Sequence, residues 1–249
     1  MDNRENLVDW FIKGTFFNKN LPNNYNGEEF SLSPTNKEDV LLAVKKAYID
    51  MTPRTIEGLG NAHKIKGFDD AFNNILSDLA DDFLNYFNSS PVENENDFEK
   101  WHAGVCGKFE CEFNEFLKKF HVKNKNGKIS QISYGKAQKI VNMTFKYIYC
   151  FDNNEGFDYF KYCHMTLDSY TLNWFLEDVR DWLKENNNFK FSKNRIPSWS
   201  NFDKGEDCKE EFSYLWIQYQ IKNYLKQQDE YSQNPFITEF TIWNKYKTK

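Results

Sequence analysis

FDDAFNNILSDLADDFLNYF, residues 68–87, carries large apolar side chains at Phe72, Ile75, Leu76, Leu79, Phe83, Leu84 and Phe87. Intervals of three and four residues line these up on one face of a helix. Asn88-Ser89-Ser90-Pro91 closes the run with turn-forming residues. The same spacing recurs on both sides. Upstream, Leu7 to Phe16 reads as a short amphipathic start, and Ser33-Pro34-Thr35-Asn36 as a capped approach to a helix beginning at Lys37. Gly58-Leu59-Gly60 is a break. Downstream, Phe98, Trp101, Val105, Phe109, Phe113, Phe116 and Phe120 keep helical spacing through residues 97–120, against the weakening effect of Gly104 and Gly107.

After a turn at Asn124–Gly127, Gly135 opens a strong helix from Lys136 to about Phe151, followed by a polar loop, Asp152 to Phe157. Asp168 precedes an apolar-periodic run, Tyr170 to Lys184, and residues 186–200 are polar and irregular. Glu211 to Gln228 reads as the last long helix. Pro235 to Trp243 fits a strand or a short helix equally well. The expectation is an all-α, mainly helical globular domain over residues 1–249, as one body or as two lobes flanking a cleft near residues 132–175.

Composition bounds the function. With 40% hydrophobic and 18% aromatic residues among 249, the chain has the material for a core, which a disordered protein lacks. No stretch approaches about 20 apolar residues, so no membrane span is expected. The polar, charged residues 1–5 do not resemble a secretory signal, and a cytoplasmic location is expected. Five scattered cysteines suit a reducing compartment. Cys106 and Cys111, or Cys163 with His164, lack the second close-spaced pair a metal site needs, so free thiols, no metal and no iron–sulfur cluster are expected. Neither a phosphate-binding glycine loop nor a Gly-x-Ser-x-Gly elbow occurs, and no cofactor is expected. His63, His102, His121 and His164 stand isolated and read as structural or surface residues.

Charge is segregated. From Phe116 to Phe151 there is no Asp or Glu, but there are eight lysines, at 118, 119, 123, 125, 128, 136, 139 and 146. A chain with a formal net charge of -5 therefore carries −13 outside this segment. An anionic polymer responds to such a local field more than to the total. Within the helix that Gly135 opens, Ala137, Val141, Phe145 and Ile148 share one face, and Lys136, Lys139 and Lys146 lie together on the other. Lys139 and Lys146, seven residues apart, are nearly eclipsed. Solvated lysines on an amphipathic helix are the simplest reading of this helix alone. Asp168 is placed to cap the following helix, its carboxylate accepting from free first-turn amides, which would also hold it rigid and ionised.

A short turn with glycine, a helix bearing lysine, a loop, and an Asp at the next helix start together resemble the helix-hairpin-helix DNA glycosylase superfamily, most closely its archaeal 8-oxoguanine glycosylase branch. Lys139 and Lys146 match that branch's nucleophilic lysine and the second lysine seven residues on. Thr166-Leu167-Asp168 stands where the superfamily has Pro-Val-Asp. The likeness covers residues 132–175, and Ile132-Ser133-Tyr134-Gly135-Lys136 departs from the usual Leu-Pro-Gly-Val-Gly hairpin by lacking its proline and first glycine.

The resemblance implies a DNA partner, a base flipped into a pocket and cleavage of its N-glycosidic bond. It assigns Asp168 to stabilising the oxocarbenium-like sugar, and Lys139 to Schiff-base formation in a bifunctional enzyme. Lys123, Lys125, Lys128, Lys136 and Lys146 would contact nucleic acid. Two other classes fit the composition: a non-enzymatic helical interaction protein, such as a defence-system component, and a nucleic-acid binder without catalysis.

Overall fold

The computed structural model describes residues 31–151 and 157–247, and nine α-helices lie among them. The expected amphipathic segment at residues 7–16 and most of the loop at 152–157 lie outside the described residues. Helices α1 (Lys37–Asp50), α3 (Phe68–Asn88), α4 (Glu95–Lys119) and α5 (Tyr134–Phe151) form one group, with α2 (Leu59–Ala62) a single turn in the α1–α3 connection. The second group is α6 (Ser169–Trp174), α7 (Arg180–Asn186), α8 (Tyr214–Leu225) and α9 (Pro235–Lys247). One continuous hydrophobic cluster runs through both.

Local signals explain the helix ends. Asn36 caps α1 by accepting from the Glu38 and Asp39 amides, and Asn94 caps α4 through the Asp97 amide. The helical face at 68–88 buries Leu76, Leu79, Phe83 and Phe87 as its spacing requires. Gly104 and Gly107 sit on the open side of α4, which passes through them unbroken. The run after Asp168 is helical from Ser169 to Asn186, with a π-helical turn at Phe175–Val179 between α6 and α7. The Pro235 segment, open between strand and helix on sequence, is α9. Among the described residues the only β pairing is an isolated bridge between Lys123 and Ile129.

The amphipathic reading of residues 136–151 is corrected. All 18 residues of α5 are buried, because neighbours close on every side: α1, α4 and the segment around Trp199–Asn201. Its apolar flank packs into an aromatic cluster, with Phe145 lying 4.9 Å from Phe83, 5.3 Å from Tyr86 and 5.4 Å from Trp101. The lysines expected in water are instead in the middle of the protein, where each needs a partner.

The start of α5 is locked by backbone contact. The Gly135 amide donates to the Phe202 carbonyl at 2.9 Å, and Ser133 Oγ donates to the Ser200 carbonyl at 2.5 Å. A Cβ at residue 135 would lie 2.0 Å from the Trp199 carbonyl oxygen, so only glycine fits. Gly135→Ala is expected to cost about 2–3 kcal/mol by overpacking, lowering the melting temperature by roughly 4–12 °C. A circular-dichroism melt identical to wild type would show that residues 199–202 do not pack there.

Candidate active site

Asp168 reaches its position through the cap the sequence announces. Its Oδ1 accepts from the Tyr170 amide at 2.9 Å and the Thr171 amide at 3.1 Å, while Thr171 Oγ1 accepts in return from the Asp168 amide at 2.8 Å. This reciprocal box fixes the carboxylate at the first turn of α6. Oδ2, the oxygen not used by the cap, accepts from Trp243 Nε1 at 3.1 Å and lies 3.9 Å from Lys139 Nζ. The two side chains are nearly buried, at 11% exposure for Lys139 and 6% for Asp168.

Lys139 stands on the first turns of α5 under the indole of Trp199, with Nζ 4.4 Å from the ring centroid. The Lys136 amine lies 5.2 Å from the same ring, and it donates to the Met51 carbonyl at 3.1 Å and Thr55 Oγ1 at 2.8 Å. Burial, helped by the neighbouring charge of Lys139, brings Lys136 down to about 8 from the usual lysine range. One aromatic face thus covers two amines, one of which faces a carboxylate.

Lys146 requires a second correction. The sequence reading sends it to DNA, but its side chain is only 1% exposed and is ion-paired with Glu239 of α9. Glu239 Oε2 also accepts from the Thr166 amide at 2.6 Å, two residues before Asp168. Burial lowers the Lys146 amine to about 7. Lys136 is likewise buried, with its amine committed to Met51 and Thr55. Lys146→Met would strand the Glu239 carboxylate and is expected to cost about 3–5 kcal/mol, with Lys146→Met/Glu239→Leu recovering most of it. Denaturant melts of the single and double variants measure this; a neutral single variant would mean that the pair contributes nothing.

The three remaining DNA-assigned lysines, Lys123, Lys125 and Lys128, are exposed on the turn before α5. Lys125 pairs with Glu57 at 3.7 Å and also donates its amide to that carboxylate. A groove of about 490 Å³ runs along this turn, lined by Thr55, Glu57, Lys125, Lys128 and Lys136. Neither Lys139 nor Asp168 lines it; Lys136 shares the Trp199 ring with Lys139. The Gly135 amide is used by the Phe202 carbonyl.

A second buried polar system crosses the core. Asn142 of α5 donates to Gln138 and to Tyr214 Oη, both at 3.0 Å, and its oxygen lies 2.9 Å from His102 Nε2. Tyr214 Oη lies 2.9 Å from His164 Nδ1, whose Nε2 is 2.9 Å from Glu99. Burial drives His102 down to about 3, so it is neutral at pH 7. Burial works against the charge on Glu99, but His164 and Lys222 outweigh it and hold the carboxyl well below its usual range. Both histidines are fully buried and hydrogen-bonded within this network.

The capping signal located Asp168, and the resemblance, not the periodicity of α5, singled out Lys139. Neither signal pointed to Trp199, Glu239 or Trp243, which lie far along the chain and reach the site only through tertiary contacts. Among the described residues no group of three or more His, Cys, Asp and Glu is arranged to hold a metal, and no helix is long and apolar enough to cross a membrane. Compared with protein-family models, curated proteins and solved structures, the chain matches none.

Proposed function

We propose that this protein is a DNA base-excision glycosylase with lyase activity, in which Asp168 and Lys139 act on one flipped nucleotide. The observation that carries the reading is the 3.9 Å approach of Lys139 Nζ to Asp168 Oδ2. An amine and a rigidly capped carboxylate, brought together from different elements, match the two groups this chemistry needs. As the bond from C1′ to the base breaks, its electron pair leaves with the base and positive charge grows on the sugar. A fixed carboxylate stabilises that charge without having to reorganise. Lys139 gives a proton to the departing base and its freed amine adds to C1′; transfer of a further proton from that nitrogen to the ring oxygen, with opening of the sugar ring, gives the Schiff base. The exposed lysines of the nearby groove support a polyanionic substrate. The helix-hairpin-helix arrangement belongs to this proposal only in outline, since α4 and α5 are joined by the long turn at residues 120–133.

The test is incubation with duplex and single-stranded oligonucleotides carrying oxidised, deaminated, alkylated, hydroxymethylated or abasic sites. Borohydride reports Schiff bases and hot alkali reports base loss. A protein–DNA adduct on any of these supports the reading, and no product across the panel counts against it. The Trp199 indole over both amines favours a second reading, a non-enzymatic helical binding protein whose Lys139–Asp168 pair is structural. It expects DNA or protein binding that survives replacement of both residues, and no adduct.

A further inference from the structure

Helix α9 presents Glu239 and Trp243, one turn apart, to the segment that carries Asp168. Glu239 holds the Thr166 amide at 2.6 Å, and Trp243 Nε1 donates to Asp168 Oδ2 at 3.1 Å. The Trp243 ring also meets Tyr170 edge-on, with centroids 5.0 Å apart, and the Tyr170 amide binds the other oxygen of the same carboxylate. Each oxygen of Asp168 therefore has a donor from a different helix. The cap alone leaves the carboxylate free to turn about its Oδ1 anchor. A hydrogen bond on Oδ2 removes that freedom and sets the direction in which the charge faces Lys139.

We infer that Trp243 is a positioning residue, orienting the Asp168 carboxylate through its indole N–H. The inference rests on the glycosylase reading. It makes base release, the step that uses Asp168, depend on Trp243, and leaves Schiff-base formation at a ready-made abasic site, which uses Lys139, independent of it.

Trp243→Phe keeps an aromatic ring against Tyr170 and deletes the donor. Single-turnover base release is expected to fall about 10–100-fold, the range for loss of a group that orients a reacting residue. Borohydride trapping on abasic-site duplex is expected to stay within about twofold of wild type. A general loosening of the fold would lower both rates together, so this split separates positioning from packing. Equal losses in both assays, or none in either, overturn the inference while the glycosylase reading stands. A wild-type protein inactive in both assays overturns that reading and the inference with it.

Indole N–H spectroscopy tests the hydrogen bond without any turnover. In ¹⁵N-labelled protein the Trp243 indole resonance is expected to move in Asp168→Asn, where a side-chain amide can turn an N–H towards the indole donor. An unmoved resonance overturns the inference even if Trp243→Phe fails to fold.

Discussion

Asp168→Asn is expected to abolish base release, by about 10²–10³-fold or more, while DNA affinity stays within about twofold. The geometry makes this substitution unusually selective. The asparagine carbonyl can still accept from the Tyr170 and Thr171 amides, so the α6 cap survives. The group replacing Oδ2 becomes an N–H donor that faces the Trp243 donor and the Lys139 amine, and the negative charge is gone. Some stability is lost because a buried donor is left unsatisfied, about 1–3 kcal/mol. Asp168→Ala would lose the cap as well, a further cost of about 1 kcal/mol, and would confuse folding with chemistry. Alkali-revealed base loss and fluorescence anisotropy on the same duplex measure the two quantities. Full base release by Asp168→Asn would remove Asp168 from the mechanism, whatever its distance from Lys139.

What could be read in advance divides along a physical line. Helix positions and caps are local properties, set by a few neighbouring residues. The spacing of residues 68–87, Asn36 before α1 and Asp168 before α6 were therefore legible. The environment of α5 was not. Its lysines look like a solvated stripe, but Lys136 is answered by Met51 and Thr55 and Lys146 by Glu239, while Asn142 is answered by Tyr214 and His102. Periodicity marks which residues share a face and says nothing about whether that face meets water or another helix. A fully enclosed helix can carry polar residues whenever partners exist to satisfy them.

The candidate site shows the same division. The two groups proposed to react, Lys139 and Asp168, lie on elements with strong local signals. The residues that shape their surroundings, Trp199, Glu239 and Trp243, come from a polar irregular stretch and from a helix whose pattern fitted a strand equally well. Charge segregation was legible in sequence but misallocated in space. Of the eight lysines in the acid-free segment, Lys136, Lys139 and Lys146 turn inwards, and Lys118, Lys119, Lys123, Lys125 and Lys128 keep the surface.

Lys139→Gln is expected to reduce borohydride-trapped product to about a thousandth or less, since the bond to C1′ has lost its nucleophile. The competing nucleophile is Lys136, under the same indole and, at about 8, already neutral in about a tenth of molecules at pH 7. Electrostatics argues against its taking over. The Lys139 charge is one of the two causes that depress Lys136. Replacing Lys139 with neutral glutamine removes that contribution, so the Lys136 pKa rises and its neutral fraction at pH 7 falls. Its amine is also held towards Met51 and Thr55 of the α1–α2 connection. Residual trapping through Lys136 would therefore require higher pH than trapping by wild type, and would vanish in Lys136→Gln/Lys139→Gln. Trapping by Lys139→Gln at wild-type level and with an unshifted pH profile would mean that neither lysine was assigned correctly. Loss restored only at alkaline pH would identify Lys139 as the nucleophile and Lys136 as the amine beside it that its charge keeps partly neutral.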